Sequence, residues 1–182
     1  MSLYDIFHST IKSQLRAKLG KSNVHESPVV SKVIVSMWVG SLHTRKGLKD
    51  FSDLHDNLKL ITWQKPYLIK SKQAISNFKL RAGMPSMLSV TLRWKKAYDF
   101  LERLRILVLP RVRDFPGLNP KSFDKMGNYS IGLKDQSVFP EINYEDLQTL
   151  CGVQITIVPT TSSVDESKEL MRSLGFVFIN DK

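Results

Sequence analysis

Lysine and arginine outnumber the acidic side chains in this sequence by 27 to 17, and they are unevenly distributed. The chain has 182 residues and a formal net charge of +10. Between Lys59 and Tyr98 there are nine lysines and arginines and no acidic residue, whereas Glu141 to Lys182 contains three basic and seven acidic residues. Lysines and arginines without carboxylate neighbours are suited to displace counterions from a phosphate backbone. The local excess therefore predicts a polyanionic partner.

The residue types that usually carry catalysis form no recognisable pattern. Four histidines are scattered through the N-terminal third: His8, His25, His43 and His55. The only cysteine, Cys151, is far from them, and no phosphate-binding glycine motif or nucleophile elbow occurs. Asp114 and Asp124 could form a carboxylate pair, but Arg113 and Lys125 beside them favour local salt bridges. We therefore expect no enzyme, no metal and no cofactor, and a Cys151 that is a core residue in a reducing compartment.

The segment from Pro110 to Gly132 is punctuated by three prolines and three glycines. Such residues interrupt helices and strands. The pattern predicts a long ordered loop between a helix and a strand, and long loops in compact domains are usually functional. A solvated connector is the alternative.

Hydrophobic periodicity predicts a mixture of helices and strands in the rest of the chain. We expect helices at 3–19, 46–61, 94–109 and from a Ser163 cap to Gly175, and strands at 32–40, 67–69, 87–92, 129–133, 138–140 and 153–157. The segment between the second and third strands is basic and poor in apolar residues, which predicts an arm projecting from a hairpin. The order favours an α+β two-layer sandwich, a mostly antiparallel sheet with helices packed on one face and long basic loops. The other face is then free to bind.

Three stretches make the sequence specific. They are QKPYLIKSKQAISNFKLRAGMP (64–85), SVTLR (89–93) and PRVRDFPGLNPKSFDKMGNYSIGLKDQSVFPEI (110–142). All three closely resemble the bacterial-type large-subunit ribosomal protein L5 family, and the likeness covers nearly the whole chain. The resemblance implies one ribosomal-protein domain over 1–182, with a basic arm at 70–85 and a functional loop at 110–128.

The resemblance also implies partners and residues. It implies a protein of the central protuberance that binds 5S rRNA and large-subunit rRNA, contacts neighbouring central-protuberance proteins, approaches P-site tRNA and contributes to a bridge with a small-subunit head protein. The implied 5S rRNA-binding residues are Ser36, Trp38, Gln64, Lys65, Thr91 and Arg93. The implied tRNA-facing residues of the arm are Lys70, Lys72, Lys79 and Arg81. The implied bridge residues are Arg111, Arg113, Lys121, Lys125 and Asn128.

Four positions depart from the family's usual pattern. Ser36 stands in place of asparagine, Trp38 and Trp63 in place of glycine, and Ser89 where a basic residue is common. These departures suggest a divergent lineage, so the expected location is a ribosome in the bacterial cytoplasm, the mitochondrial matrix or the plastid stroma. No run of about 18 apolar residues predicts a membrane span.

Two other classes of function stay open from the residues alone. One is a free RNA chaperone or translational regulator that uses the same basic arm. The other is a protein-interaction module whose acidic C-terminal part recruits a basic partner.

Overall fold

The computed structural model describes residues 2–47, 50–143 and 149–179. Five strands form one sheet in the order β2-β3-β1-β5-β4. Their bounds are β1 Val30–Trp38, β2 Tyr67–Lys70, β3 Pro85–Arg93, β4 Tyr129–Leu133 and β5 Val153–Pro159. The sheet is antiparallel with helices packed alongside, which confirms the predicted α+β class. Alternate residues of β5 are buried, as expected for strands with only one face in the core.

The described residues also form six α-helices. They are α1 Leu3–Ile6, α2 Lys12–Lys18, α3 Gly40–Lys46, α4 Ser52–Thr62, α5 Lys95–Arg103 and α6 Val164–Ser173. A π-helical turn (Phe7–Ile11) joins α1 to α2, so the predicted first helix is one continuous element. Another π-helical turn (Leu104–Val108) and a 3₁₀ turn (Leu109–Arg111) extend α5 to the start of the long loop. Among the described residues, no helix is long and apolar enough to cross a membrane.

The Cα positions group the chain into two compact units. The first contains Met1–Val33, Leu92–Ile131 and Thr156–Lys182. Its core is centred on Tyr98, whose hydroxyl accepts the Val30 N–H at 3.2 Å and whose ring lies 5.1 Å from that of Phe7. Burial raises the pKa of Tyr98 to about 12, so this hydroxyl keeps its proton at neutral pH.

The second unit contains Ile34–Thr91 and Gly132–Ile155. Its core combines β-strand residues with the apolar stripe of α4. Its fully buried apolar side chains include Val35, Met37 and Ile155 from the strands, Val39 just after β1, and Leu58 and Ile61 from α4. Cys151 is buried as predicted, and burial raises the pKa of its thiol, which donates to the Trp38 carbonyl at 3.6 Å.

The structure corrects two of the predicted elements. The helix expected at 46–61 begins only at Ser52, because α3 ends at Gly47 in a left-handed conformation (φ 67°) and the Asp50 carboxylate then accepts the Ser52 N–H at 3.0 Å. Leu48, assigned to its apolar stripe, lies outside the described residues. The strand expected at 138–140 does not form, and a 3₁₀ turn, Gln136–Val138, occupies the start of that segment. There the buried Gln136 amide donates to the Thr149 carbonyl at 2.9 Å, a contact that local sequence pattern does not reveal.

The start of α6 also differs from the prediction in detail. Ser163 occupies the N-cap position, but its hydroxyl makes no capping bond. Its carbonyl accepts the Ser167 hydroxyl at 2.9 Å, and its N–H is held by the Thr161 hydroxyl at 3.2 Å. Glu166 in the first turn also accepts from Thr161, at 2.6 Å.

Candidate nucleic-acid interface

The second unit presents a polar sheet face at the end of β1. Gln154 on β5 organises it: its carbonyl accepts the Ser36 hydroxyl at 3.4 Å, and its side-chain oxygen accepts the Trp38 indole N–H at 3.0 Å. Ser36 is 6% exposed, whereas Trp38 is 53% exposed. The predicted position of Trp38 on the non-core face is therefore correct. The sequence reasoning missed Gln154, which is separated from these residues by more than a hundred positions in the chain.

A second part of this face lies where α4 ends and β2 begins. The Gln64 side chain donates to the Thr91 carbonyl at 3.2 Å, so two predicted RNA-binding residues are brought together. Both are partly exposed, and Lys65 beside them is exposed. Tyr67 opposes Ser89 across the β2–β3 pair, and paired residues share a face. A hydroxyl- and amide-rich surface of this kind can donate and accept hydrogen bonds to sugar and phosphate.

The basic arm is a hairpin extension of β2 and β3, as predicted. Ser71 closes the base of the arm. The Ser71 N–H donates to the Met84 carbonyl and the Ser71 carbonyl accepts the Gly83 N–H, both at 2.8 Å. Near the tip, Ile75 and Leu80 form an isolated antiparallel bridge around a 3₁₀ turn, Ser76–Phe78. The arm's four cations are all exposed: Lys70, Lys72, Lys79 and Arg81. A groove of about 580 Å³ separates the arm's tip from α3.

The long loop belongs to the first unit and is ordered by hydrogen bonds rather than by ion pairs. Asp124 accepts the N–H groups of Met126 and Asn128 at 2.9 and 2.8 Å and the Asn128 side-chain amide at 2.7 Å. The hydrogen bond from the Asn128 side chain lowers the pKa of Asp124 most, and the two backbone N–H bonds lower it further. The Asp124 carboxylate is therefore held by N–H groups of its own loop and not by the expected salt bridge to Lys125. An aspartate followed by Gly127 in a turn was the available sequence signal.

The predicted bridge residues separate into two groups. Arg111, Arg113, Lys121 and Lys125 are exposed on the loop surface. Asn128 is only partly exposed, and its amide is bonded to Asp124, which gives it a structural role within the loop. Arg93, the remaining cation of the predicted RNA set, is exposed at the end of β3 in this same unit.

Within the described residues, no group of three or more histidine, cysteine or acidic side chains could hold a metal ion. The side chains that converge on the sheet face are hydroxyls, amides and cations, which are the groups that contact sugar and phosphate in nucleic-acid-binding proteins.

Comparison with known proteins identifies the family. The family described as "Ribosomal protein L5" matches residues 23–81, and the C-terminal model of the same ribosomal family matches residues 85–178. The chain is 42% identical over 176 residues to the large ribosomal subunit protein uL5 of Natranaerobius thermophilus, covering 97% of both chains. It is 44% identical over 177 residues to uL5 of Thermosipho africanus, covering 97% of this chain and 96% of that one. With uL5c of Paulinella chromatophora it shares 42% identity over 178 residues, covering 98% of both.

These matches define a structural protein of the large ribosomal subunit. The chain belongs to the ribosomal protein L5 family. It is therefore a ribosomal constituent rather than an enzyme, and its partners are rRNA and the ribosome.

Proposed function

We propose that this protein binds 5S rRNA in the central protuberance through the polar sheet face of its second unit. The observation that carries the proposal is the exposed cationic surface beside Gln64 and Thr91, within a stretch of nine basic and no acidic residues. The basic residues supply salt-dependent affinity, and the hydroxyl and amide groups fix the orientation of the RNA. Ser36 is mostly buried, so its contribution is to hold Gln154 and the surrounding strands.

The test is binding of the purified protein to 5S rRNA, beside an unrelated structured RNA, over a range of salt concentrations. Gln64→Ala should weaken binding by about 1 kcal/mol, the scale of one lost hydrogen bond. Thr91→Ala should do the same, although its carbonyl still accepts from Gln64. Gln14→Ala is the matched control, since Gln14 is exposed on α2 in the first unit. Equal affinity for both RNAs would favour the RNA-chaperone alternative.

The arm's role in the proposal is contact with P-site tRNA. Because its four cations are exposed and residues 72–79 contribute nothing to the core, their removal should leave folding intact. A variant with Lys70, Lys72, Lys79 and Arg81 all changed to alanine should still enter large subunits but release P-site tRNA faster. Lys95→Ala with Lys96→Ala removes exposed cations outside the arm and is the control. An unchanged tRNA off-rate would exclude this role.

In this proposal the long loop forms the bridge to a small-subunit head protein. The remaining proposed partners are the neighbouring central-protuberance proteins. The support for the bridge is the exposure of Arg111, Arg113, Lys121 and Lys125 on a segment that Asp124 orders from within. Replacing the four cations with alanine should weaken association of the two ribosomal subunits while 5S rRNA binding by the free protein is retained. Unaltered association would contradict the bridge.

A further inference from the structure

The long loop is hydrogen-bonded to the C-terminal segment Phe176–Ile179 through both backbone groups of Leu118. The Leu118 N–H donates to the Val177 carbonyl at 2.8 Å, and the Ile179 N–H donates back to the Leu118 carbonyl at 3.1 Å. Leu118 and Phe178 thus form a parallel bridge, and both side chains are 3% exposed. The chain end is therefore paired to the middle of the loop as a short strand would be.

Aromatic packing adds to this backbone pairing. The Phe178 ring lies 5.9 Å from the rings of both Phe123 and Tyr129, and those two lie 4.6 Å apart. The Tyr129 hydroxyl donates to the Asn119 carbonyl at 3.0 Å, so the same cluster also holds the loop's backbone. Phe123 comes from the loop, Tyr129 from the first residue of β4 and Phe178 from the chain end.

The fit between the loop and the chain end is close at Gly117. Its φ of 118° favours glycine, and a Cβ there would lie 3.0 Å from the Ile179 nitrogen and 3.1 Å from the Phe178 carbonyl carbon. Any larger residue would have to displace the chain end. Glycine at this position therefore permits the pairing.

We propose that Phe176–Ile179 is the positioning element of the loop, with Phe178 as its anchoring residue, and that it presents the loop's cations to the small-subunit partner. The partner part of this inference rests on the proposed bridge. Phe178 is buried, so it acts through the residues that it contacts, which are Leu118, Phe123 and Tyr129. Loss of the anchor should therefore free the loop without affecting the arm or the sheet face of the second unit.

The experiment measures amide hydrogen exchange in the full chain with Phe178→Ala. The amides of Leu118, Asp124 and Gly127 should exchange roughly tenfold faster or more, while those of Val35 and Met37 stay protected. Val177→Ala is the matched control, because that side chain is 59% exposed and its backbone carbonyl is kept. Gly117→Ala disturbs the same pairing from the loop side and keeps the test decisive if Phe178→Ala fails to fold.

Subunit association by ribosomes carrying these variants is the second readout. Faster loop exchange with weakened association supports both the positioning role and the bridge. Faster exchange with normal association keeps the positioning role and removes the bridge. Unchanged loop exchange in both Phe178→Ala and Gly117→Ala overturns the positioning role.

A separate observation concerns the three tryptophans. All are exposed, at 53% for Trp38, 67% for Trp63 and 78% for Trp94, although tryptophan is on average a highly buried residue. Trp63 ends α4 with φ 53° and ψ 28°, the left-handed position that glycine usually occupies. Trp94 has φ 52° and ψ −134°, outside the regions allowed to residues with a side chain. Only a few per cent of non-glycine residues have positive φ, so two of three tryptophans is far above expectation.

We infer that Trp63 and Trp94 are glycine positions of this fold, and that the cell encoding this chain inserts glycine there and at Trp38. One codon, UGA, is read as tryptophan by some organisms and as glycine by others, so a single decoding rule accounts for all three. The test is peptide mass spectrometry of the protein from ribosomes of the organism that encodes it. Peptides spanning 63 and 94 should have the mass for glycine. Tryptophan at both positions would overturn the inference.

Discussion

The backbone at Trp63 and Trp94 predicts an unusual reversal in the order of stability of glycine and alanine variants. Trp94→Gly and Trp94→Ala both remove an indole that is 78% exposed, so each variant gives up the same few side-chain interactions. A side chain at left-handed φ costs about 1–2 kcal/mol, whereas glycine loses about 0.5–1 kcal/mol to alanine through backbone entropy. Trp94→Gly should therefore be more stable than Trp94→Ala by about 1 kcal/mol, and the same order should hold at Trp63.

Trp38 provides the matched control within the same chain. It lies in strand β1, so glycine there has no left-handed strain to relieve. Trp38→Ala should be more stable than Trp38→Gly, by about 0.5–1 kcal/mol. Thermal unfolding of the six variants measures the differences, since about 1 kcal/mol shifts Tm by roughly 2–4 °C in a chain of this size. If the alanine variants are as stable as the glycine variants at both 63 and 94, backbone strain does not determine the stability at these positions.

Three further predictions concern titratable groups. Because the folded-state pKa of Asp124 is depressed, its bonds stabilise the loop above its ordinary pKa and are lost as pH falls through the lower, folded-state value. Asp124→Ala should thus lower Tm at neutral pH, and the difference from wild type should vanish in acid; a difference independent of pH would contradict this role. Glu169 accepts from Lys18 at 2.5 Å, joining α2 to α6, so Glu169→Gln should lower Tm in low salt and much less in high salt. Cys151, with its raised thiol pKa and 6% exposure, should resist alkylation near neutral pH until the protein is unfolded.

Local pattern was sufficient wherever one periodicity or one residue type decided the structure. The alternation around Val33, Val35 and Met37 predicted β1 and its core face, and all three side chains are fully buried. The glycine stop at Gly175 is likewise correct, with φ 85°. The segment between β2 and β3 is basic and poor in apolar residues, which predicted an exposed arm, and Lys70, Lys72, Lys79 and Arg81 are all exposed.

Local pattern failed where the deciding contact is a particular hydrogen bond that residue type and spacing do not specify. Gln136 begins a 3₁₀ turn rather than leading into a strand because its side-chain amide donates to the Thr149 carbonyl. The Ser163 hydroxyl does not cap α6, and the Ser163 N–H donates to the Thr161 hydroxyl. The sequence predicted an ion pair for Asp124, but its carboxylate accepts three N–H groups of its own loop at 2.7 to 2.9 Å.

The sequence by itself determined the class of this protein: its charge distribution indicates a polyanionic partner, and its motifs resemble the ribosomal protein L5 family. Charge and periodicity are properties of neighbouring residues, so they can be read along the chain. The tertiary structure alone decided which side chains meet. It joined Gln64 to Thr91, Gln154 to Trp38, and Phe178 to Phe123 and Tyr129. Such contacts arise from sheet order and from pairing of the chain end with the loop, and these depend on the free energy of the whole fold rather than on any local segment.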